Sequence, residues 1–107
     1  MRVYIASVYS NGDTALNIRS VIGVADKLVK LGHIPYIPHL THFWHLISPK
    51  PYEFWLEYDN SFLEDWAECL LRLNNESPGA DKEVERARQI GIPVYYDIKD
   101  LPRARMI

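Results

Sequence analysis

Glu68-Cys69-Leu70-Leu71-Arg72-Leu73-Asn74-Asn75-Glu76-Ser77-Pro78-Gly79-Ala80-Asp81-Lys82-Glu83 runs from an apolar strand, through a turn rich in Asn, Pro and Gly, into the start of a helix. The spacing predicts a strand over Glu68–Leu73, a turn over Asn74–Gly79 and a helix over Ala80–Ile90 closed by Gly91. Projected at about 100° per residue, Ala80, Val84, Ala87 and Ile90 share one stripe, and Glu83 falls inside it. Asp81, Lys82, Glu85, Arg86 and Arg88 lie outside. An acid in a first helical turn is favoured by the helix dipole alone. An acid on the packing side of that turn is also what a reaction centre needs, so both roles stand open.

The same alternation extends outward in both directions. Val3–Val8 reads as a buried strand ended by Asn11-Gly12. Asp13 or Thr14 caps a helix to about Leu31, with Ile18, Val21, Ile22, Ala25, Leu28 and Val29 on its apolar face and Gly32 as its stop. Ile34–Ile37 is a short strand whose Pro35 places it at an edge. His39–Lys50 is a long connection rich in aromatics and histidines, and Pro51 suits the first turn of a second helix over about Tyr52–Trp66. Ile92–Tyr96 is a fourth strand, and the tail from Asp97 has room for a short helical turn.

Strands alternating with helices indicate an α/β fold with a parallel sheet covered on both faces. The right-handed crossover rule makes a flavodoxin-like three-layer α/β/α arrangement the simplest one, with four to five strands in the order 2-1-3-4. Its switch point lies between the first and third strands, so the loops Ser7–Asp13 and Asn74–Ala80 face one crevice.

Composition narrows the function. The 107 residues are expected to form a single domain, and 48% hydrophobic with 24% charged content is ordinary for a folded chain. A net charge of −2 supplies no basic field, so a nucleic-acid polymer is not an expected partner. Backbone N–H groups at a helix start can still hold a small phosphorylated ligand. The one cysteine, Cys69, has no intrachain disulfide partner and reads as an inert buried thiol. No secretory pattern and no bilayer-length apolar run are visible, so a cytoplasmic protein without a membrane partner is expected.

The second helix repeats the oddity of the third. Phe54, Trp55, Tyr58, Phe62, Leu63 and Trp66 make its apolar side, and Asp59 sits among them. A buried carboxylate needs a partner or a cavity. His39, His42 and His45 are spaced by three, but no acid or cysteine accompanies them and the spacing matches no zinc pattern. Neither a metal nor a cofactor is expected. That segment suits a pocket wall or an interface better, with Trp44 or Phe43 able to stack on a planar base. The loop containing Ser7, Tyr9, Asn11 and Gly12 offers hydroxyls and backbone N–H groups to a phosphate or sugar, as do Ser77 and Gly79 beside Glu83.

Val3-Tyr4-Ile5-Ala6, Asp59 followed by Phe62-Leu63, and Ser77-Pro78-Gly79-Ala80-Asp81-Lys82-Glu83 together resemble the nucleoside 2-deoxyribosyltransferase superfamily. That superfamily includes nucleoside 5′-monophosphate N-glycosidases. The chain resembles in particular a small bacterial and phage branch, through Pro38-His39-Leu40-Thr41-His42-Phe43-Trp44-His45 and Ser48-Pro49-Lys50-Pro51-Tyr52-Glu53. The resemblance covers residues 2 to 96. It implies N-glycosidic bond cleavage or transfer on a nucleoside or nucleoside 5′-monophosphate, with Glu83 as the nucleophile on C1′. Asp59 would orient the sugar or protonate the leaving base, Tyr4 would position Glu83, and Ser77 would contact a 5′-phosphate. Ser7, Tyr9, Asn11, Gly12, Gly79, His42 and Trp44 complete the expected substrate contacts, and a homodimer or higher homo-oligomer is implied. The helix N-terminus is expected to keep Glu83 ionised while Asp59 retains a proton. The alternatives are a catalytically silent nucleotide-binding module and an oligomeric interaction protein.

Overall fold

The computed structural model describes residues 1–103. Four parallel strands, β1 (Arg2–Ala6), β2 (Ile34–Tyr36), β3 (Cys69–Arg72) and β4 (Val94–Tyr95), form one sheet in the order β2-β1-β3-β4. Helices α1 (Thr14–Lys30), α2 (Thr41–Ile47), α3 (Tyr52–Asp65) and α4 (Pro78–Ile90) connect them, with short 3-10 turns at Pro38–Leu40 and Ile98–Asp100. The flavodoxin-like α/β class and the 2-1-3-4 order expected from the sequence are what the chain adopts.

Residue alternation along the central strands assigns each face. Val3, Ile5, Cys69 and Leu71 point to one side, where Val21, Ala25 and Leu28 of α1 close over them. Tyr4, Ala6 and Leu70 point to the other, against Leu63 of α3 and Ala80, Val84 and Ala87 of α4. Tyr4 is therefore delivered by strand periodicity to the same layer as the helices that carry Asp59 and Glu83. Its ring is fully buried.

Local chemistry sets the helix ends. Asp13 caps α1 by accepting from the Leu16 N–H at 3.2 Å. At its other end Gly32 adopts φ 85°, the Gly32 N–H reaches the Val29 carbonyl and the His33 N–H reaches that of Leu28, both at 2.9 Å. This pair of bonds is the Schellman closure, which a left-handed glycine permits without Cβ strain. Ser77 caps α4 by accepting from the Ala80 N–H at 3.1 Å.

Several boundaries differ from the expectation. The connection His39–Lys50 is helical over Thr41–Ile47, because Trp44 packs edge-on against Phe54, Trp55 and Tyr58 of α3 and gives a short segment tertiary support. Pro51 precedes α3 in an extended conformation instead of entering its first turn, and α4 starts at Pro78, two residues before Ala80. All four strands are shorter than their apolar runs, since only the paired residues ladder. Ile22 and Val29, expected on the core face of α1, are exposed at 37% and 58%. Among the described residues no helix is long and apolar enough to cross a membrane.

Candidate active site

Tyr4 in the middle of β1 and Tyr36 at the end of β2 face the middle of α3 and the second turn of α4, and two tyrosine–carboxylate pairs meet there. The Tyr4 hydroxyl donates to Oε2 of Glu83. The Tyr36 hydroxyl donates to Oδ1 of Asp59 at 2.9 Å. Strand register explains why they lie side by side: Tyr4 on β1 is paired with Tyr36 on β2, and their rings stack at 5.6 Å. Tyr36 stacks in turn on Phe62 at 4.2 Å. The row continues through Tyr58 to Trp44, so aromatic contacts run unbroken from Tyr4 to α2.

Burial governs the electrostatics of both acids. It pushes Glu83 up to about 7, with the Asp59 charge adding to the rise and the Tyr4 hydrogen bond and the Arg72 guanidinium opposing it. Burial also pushes Asp59 up to about 6 against the Tyr36 hydrogen bond. Glu83 is raised and not held down by the helix N-terminus, because it lies in the second turn of α4, where the dipole does not offset its desolvation. Burial raises both phenols far above their usual range, so Tyr4 and Tyr36 act as neutral donors.

Two loops frame this cluster. Ser7 is buried and its Oγ accepts from Nδ2 of Asn75 at 2.8 Å. The Val8 N–H donates to Oδ1 of Asn75 at 3.0 Å, and Nε2 of His39 donates to the Val8 carbonyl at 2.7 Å. Tyr9 lies edge-on to His39 and its hydroxyl meets Nδ1 of His42. Asn11 is exposed and its carbonyl accepts from Asn17, while Gly12 takes φ 86°. Ser77 is buried with its Oγ on the Ala80 N–H, and Gly79 is exposed in the first turn of α4. A Cβ at Gly79 would meet only the Ser77 Oγ, at an ordinary 3.9 Å, so the chain's own packing does not demand glycine there.

Glu83, Asp59 and Tyr4 are thus brought together, with Ser7 and Ser77 at the framing loops. Trp44 lies at the far end of the aromatic row, where the Lys50 ammonium sits over its ring. The three histidines do not converge. His39 goes to the Val8 carbonyl and His42 to Tyr9, while Nδ1 of His45 accepts from Nε1 of Trp55 at 2.8 Å and the Lys50 N–H at 3.2 Å. Among the described residues no three His, Cys, Asp or Glu side chains are grouped as a metal requires. Cys69 is buried and its thiol is pushed up to about 11. A groove of about 900 Å³ runs along α4 past Arg72, Asn75, Asp81, Glu85, Arg88 and Tyr96, and its lining includes neither Glu83 nor Asp59.

Sequence reasoning missed Tyr36, Arg72 and Asn75. Arg72 had a visible signal, as a lone cation in an apolar strand. Tyr36 had a weaker one, as an aromatic at the last position of a strand beside Tyr4. Nothing in the sequence distinguished Asn75 from any other turn residue.

The family described as "Domain of unknown function (DUF7768)" matches residues 1–97. A solved structure of a 2-deoxyribosyltransferase from the psychrotolerant bacterium Bacillus psychrosaccharolyticus is similar in fold, with a TM-score of 0.64 at 20% identity. The match covers 88% of this chain and 69% of that one. No curated protein matches the sequence.

Proposed function

The chain belongs to the DUF7768 family, and from the site its residues build we propose that it cleaves or transfers the N-glycosidic bond of a nucleoside or nucleoside 5′-monophosphate. The observation that carries this is the pairing of Tyr4 with Glu83 beside the pairing of Tyr36 with Asp59. Each tyrosine occupies one carboxylate oxygen and leaves the other for a substrate. The fold shared with a 2-deoxyribosyltransferase supports the assignment.

In the first step the free oxygen of Glu83 bonds to C1′ while the bond from C1′ to the base nitrogen breaks. The base leaves with that electron pair and takes a proton from Asp59. The developing oxocarbenium charge makes an enclosed carboxylate effective at this position. In the second step a water or a second base gives its proton to the Asp59 carboxylate and bonds to C1′ while the bond from C1′ to Glu83 breaks, which regenerates the Glu83 carboxylate and the proton on Asp59. Ser77, whose Oγ accepts from Ala80 but keeps its own proton, and the Gly79 N–H are assigned to the 5′ end of the substrate. Ser7, Tyr9, Asn11 and Gly12 form the facing loop, His42 of α2 meets it at the Tyr9 hydroxyl, and Trp44 forms the outer aromatic wall.

We assign the expected homo-oligomer contact to the face of α2 and α3, where Phe43, Leu46, Ile47 and Tyr52 are exposed at 55%, 63%, 88% and 68%. Ile47→Asp should shift the sedimentation of the protein toward the monomer. An unchanged assembly in that variant contradicts the assignment.

The activity is tested by incubating the protein with a panel of nucleosides and their 5′-monophosphates and separating free base by chromatography. Base release that disappears in Glu83→Ala is expected. Saturable ligand binding with no release from any compound would favour the silent nucleotide-binding module instead.

A further inference from the structure

Arg72 is a cation in a buried strand, 6% exposed, and no step above uses it. Its guanidinium makes five hydrogen bonds. Nε and Nη2 donate to Oδ1 of Asp81 at 3.3 and 3.1 Å, Nη1 to the Leu73 carbonyl at 2.6 Å and to Oδ1 of Asn75 at 3.0 Å, and Nη2 to the Asn75 carbonyl at 2.7 Å. With its five N–H donors so engaged, Arg72 has none left to offer a ligand. A buried charge this fully committed holds its neighbours in place.

What it holds is Asn75. The amide of Asn75 is fixed by Arg72 on one side and spans the crevice on the other, accepting from the Val8 N–H and donating to Ser7 Oγ. The same residue, Val8, is gripped at its carbonyl by Nε2 of His39. Loops that follow three different strands are therefore joined at a single residue, Val8, next to Tyr9. Asp81 ties the assembly to the first turn of α4, two residues before Glu83.

We propose that Arg72 and Asn75 are positioning residues, which set the distance between the Ser7–Val8 loop and the Glu83 helix so that a substrate held by the loop meets the carboxylate. This rests on the function proposed above. Neither residue touches the reacting atoms. Misplacement of a reacting group by about 1 Å is enough to cost about a hundredfold in rate.

The test compares Asn75→Ala with Asn75→Asp. Aspartate keeps an acceptor for Val8 and Arg72, and Ser7 can reverse its hydroxyl to donate, so the clamp survives in that variant. Two readouts are taken: kcat and KM for base release, and hydrogen exchange at the Val8 amide. Asn75→Ala should lower kcat/KM about 10- to 100-fold and expose the Val8 amide to exchange. Asn75→Asp should restore both most of the way. With an active wild type, an unchanged kcat/KM in Asn75→Ala, or a loss in Asn75→Asp as large as in Asn75→Ala, overturns the positioning role. If the wild type releases no base from any compound, the proposed function fails and the positioning role with it. The exchange data then report on the clamp alone.

Discussion

The hydroxyl of Tyr4 donates to the carboxylate of Glu83 across 79 residues of sequence. Strand periodicity turns Tyr4 toward the α3 and α4 layer, and the helical phase of α4 turns Glu83 back toward the strand. The bond both orients the carboxylate and favours its ionised form.

Removing that hydroxyl should weaken the reaction without dismantling the fold. Tyr4→Phe keeps the ring that packs against Tyr36 and loses only the donor. A hydrogen bond to a charged group contributes about 1.5–3 kcal/mol, so kcat/KM should fall about 10- to 100-fold. Steady-state kinetics on the released base would measure it. The acidic limb of the pH profile should also move upward in Tyr4→Phe, since the bond opposes the rise in Glu83.

The two acids should give a bell-shaped pH dependence. Burial pushes Glu83 up to about 7 and Asp59 up to about 6, and the Asp59 charge adds to the rise in Glu83. The working form carries one proton on the pair, so kcat/KM should peak near pH 6 to 7, with limbs that belong to the pair. Asp59→Asn should abolish the alkaline limb and shift the acidic limb downward, because it removes the charge that raises Glu83. A profile identical to wild type in that variant would contradict the coupling.

The same burial should make Glu83 a burden on stability. Its folded value, about 7, lies above the reference 4.5, so the folded state binds its proton more tightly than the unfolded chain does. The resulting stabilisation is complete below about pH 4.5 and is lost as pH rises through about 7. Glu83→Gln removes the ionisation and should be more stable than wild type at pH 8 by about 1–3 kcal/mol. The difference should shrink to near zero at pH 4. Urea denaturation at the two pH values would measure it, and a less stable variant at pH 8 would refute it.

Leu63 supports the acid layer from below. It is fully buried between α3 and the Tyr4 face of the sheet. Leu63→Ala should cost about 2–5 kcal/mol, and the midpoint of urea denaturation should fall with little change in slope.

Much of this was legible from side-chain periodicity alone. The alternation of apolar runs gave the strand order, because right-handed crossovers leave few ways to arrange four such units. Glu83 and Asp59 were visible as acids in the wrong phase of amphipathic helices. The helical state of Thr41–Ile47 was not visible, since it depends on Trp44 meeting Phe54, Trp55 and Tyr58 after folding. Tyr36 and Asn75 were hidden for a related reason: their partners lie 23 residues away at Asp59 and 68 at Ser7. The upward shift of Glu83 was not legible because helix position is local, whereas desolvation is set by the whole packed layer.

The central claim is that Glu83 bonds to C1′. Its most direct test is the mass of the protein quenched during turnover, followed by mapping of its peptides. The account predicts a gain of one glycosyl group on the peptide that carries Glu83, absent in Glu83→Ala, which should also lose base release at least about a thousandfold. Undiminished base release from Glu83→Ala, or a glycosyl group found on Asp59 instead, would contradict it.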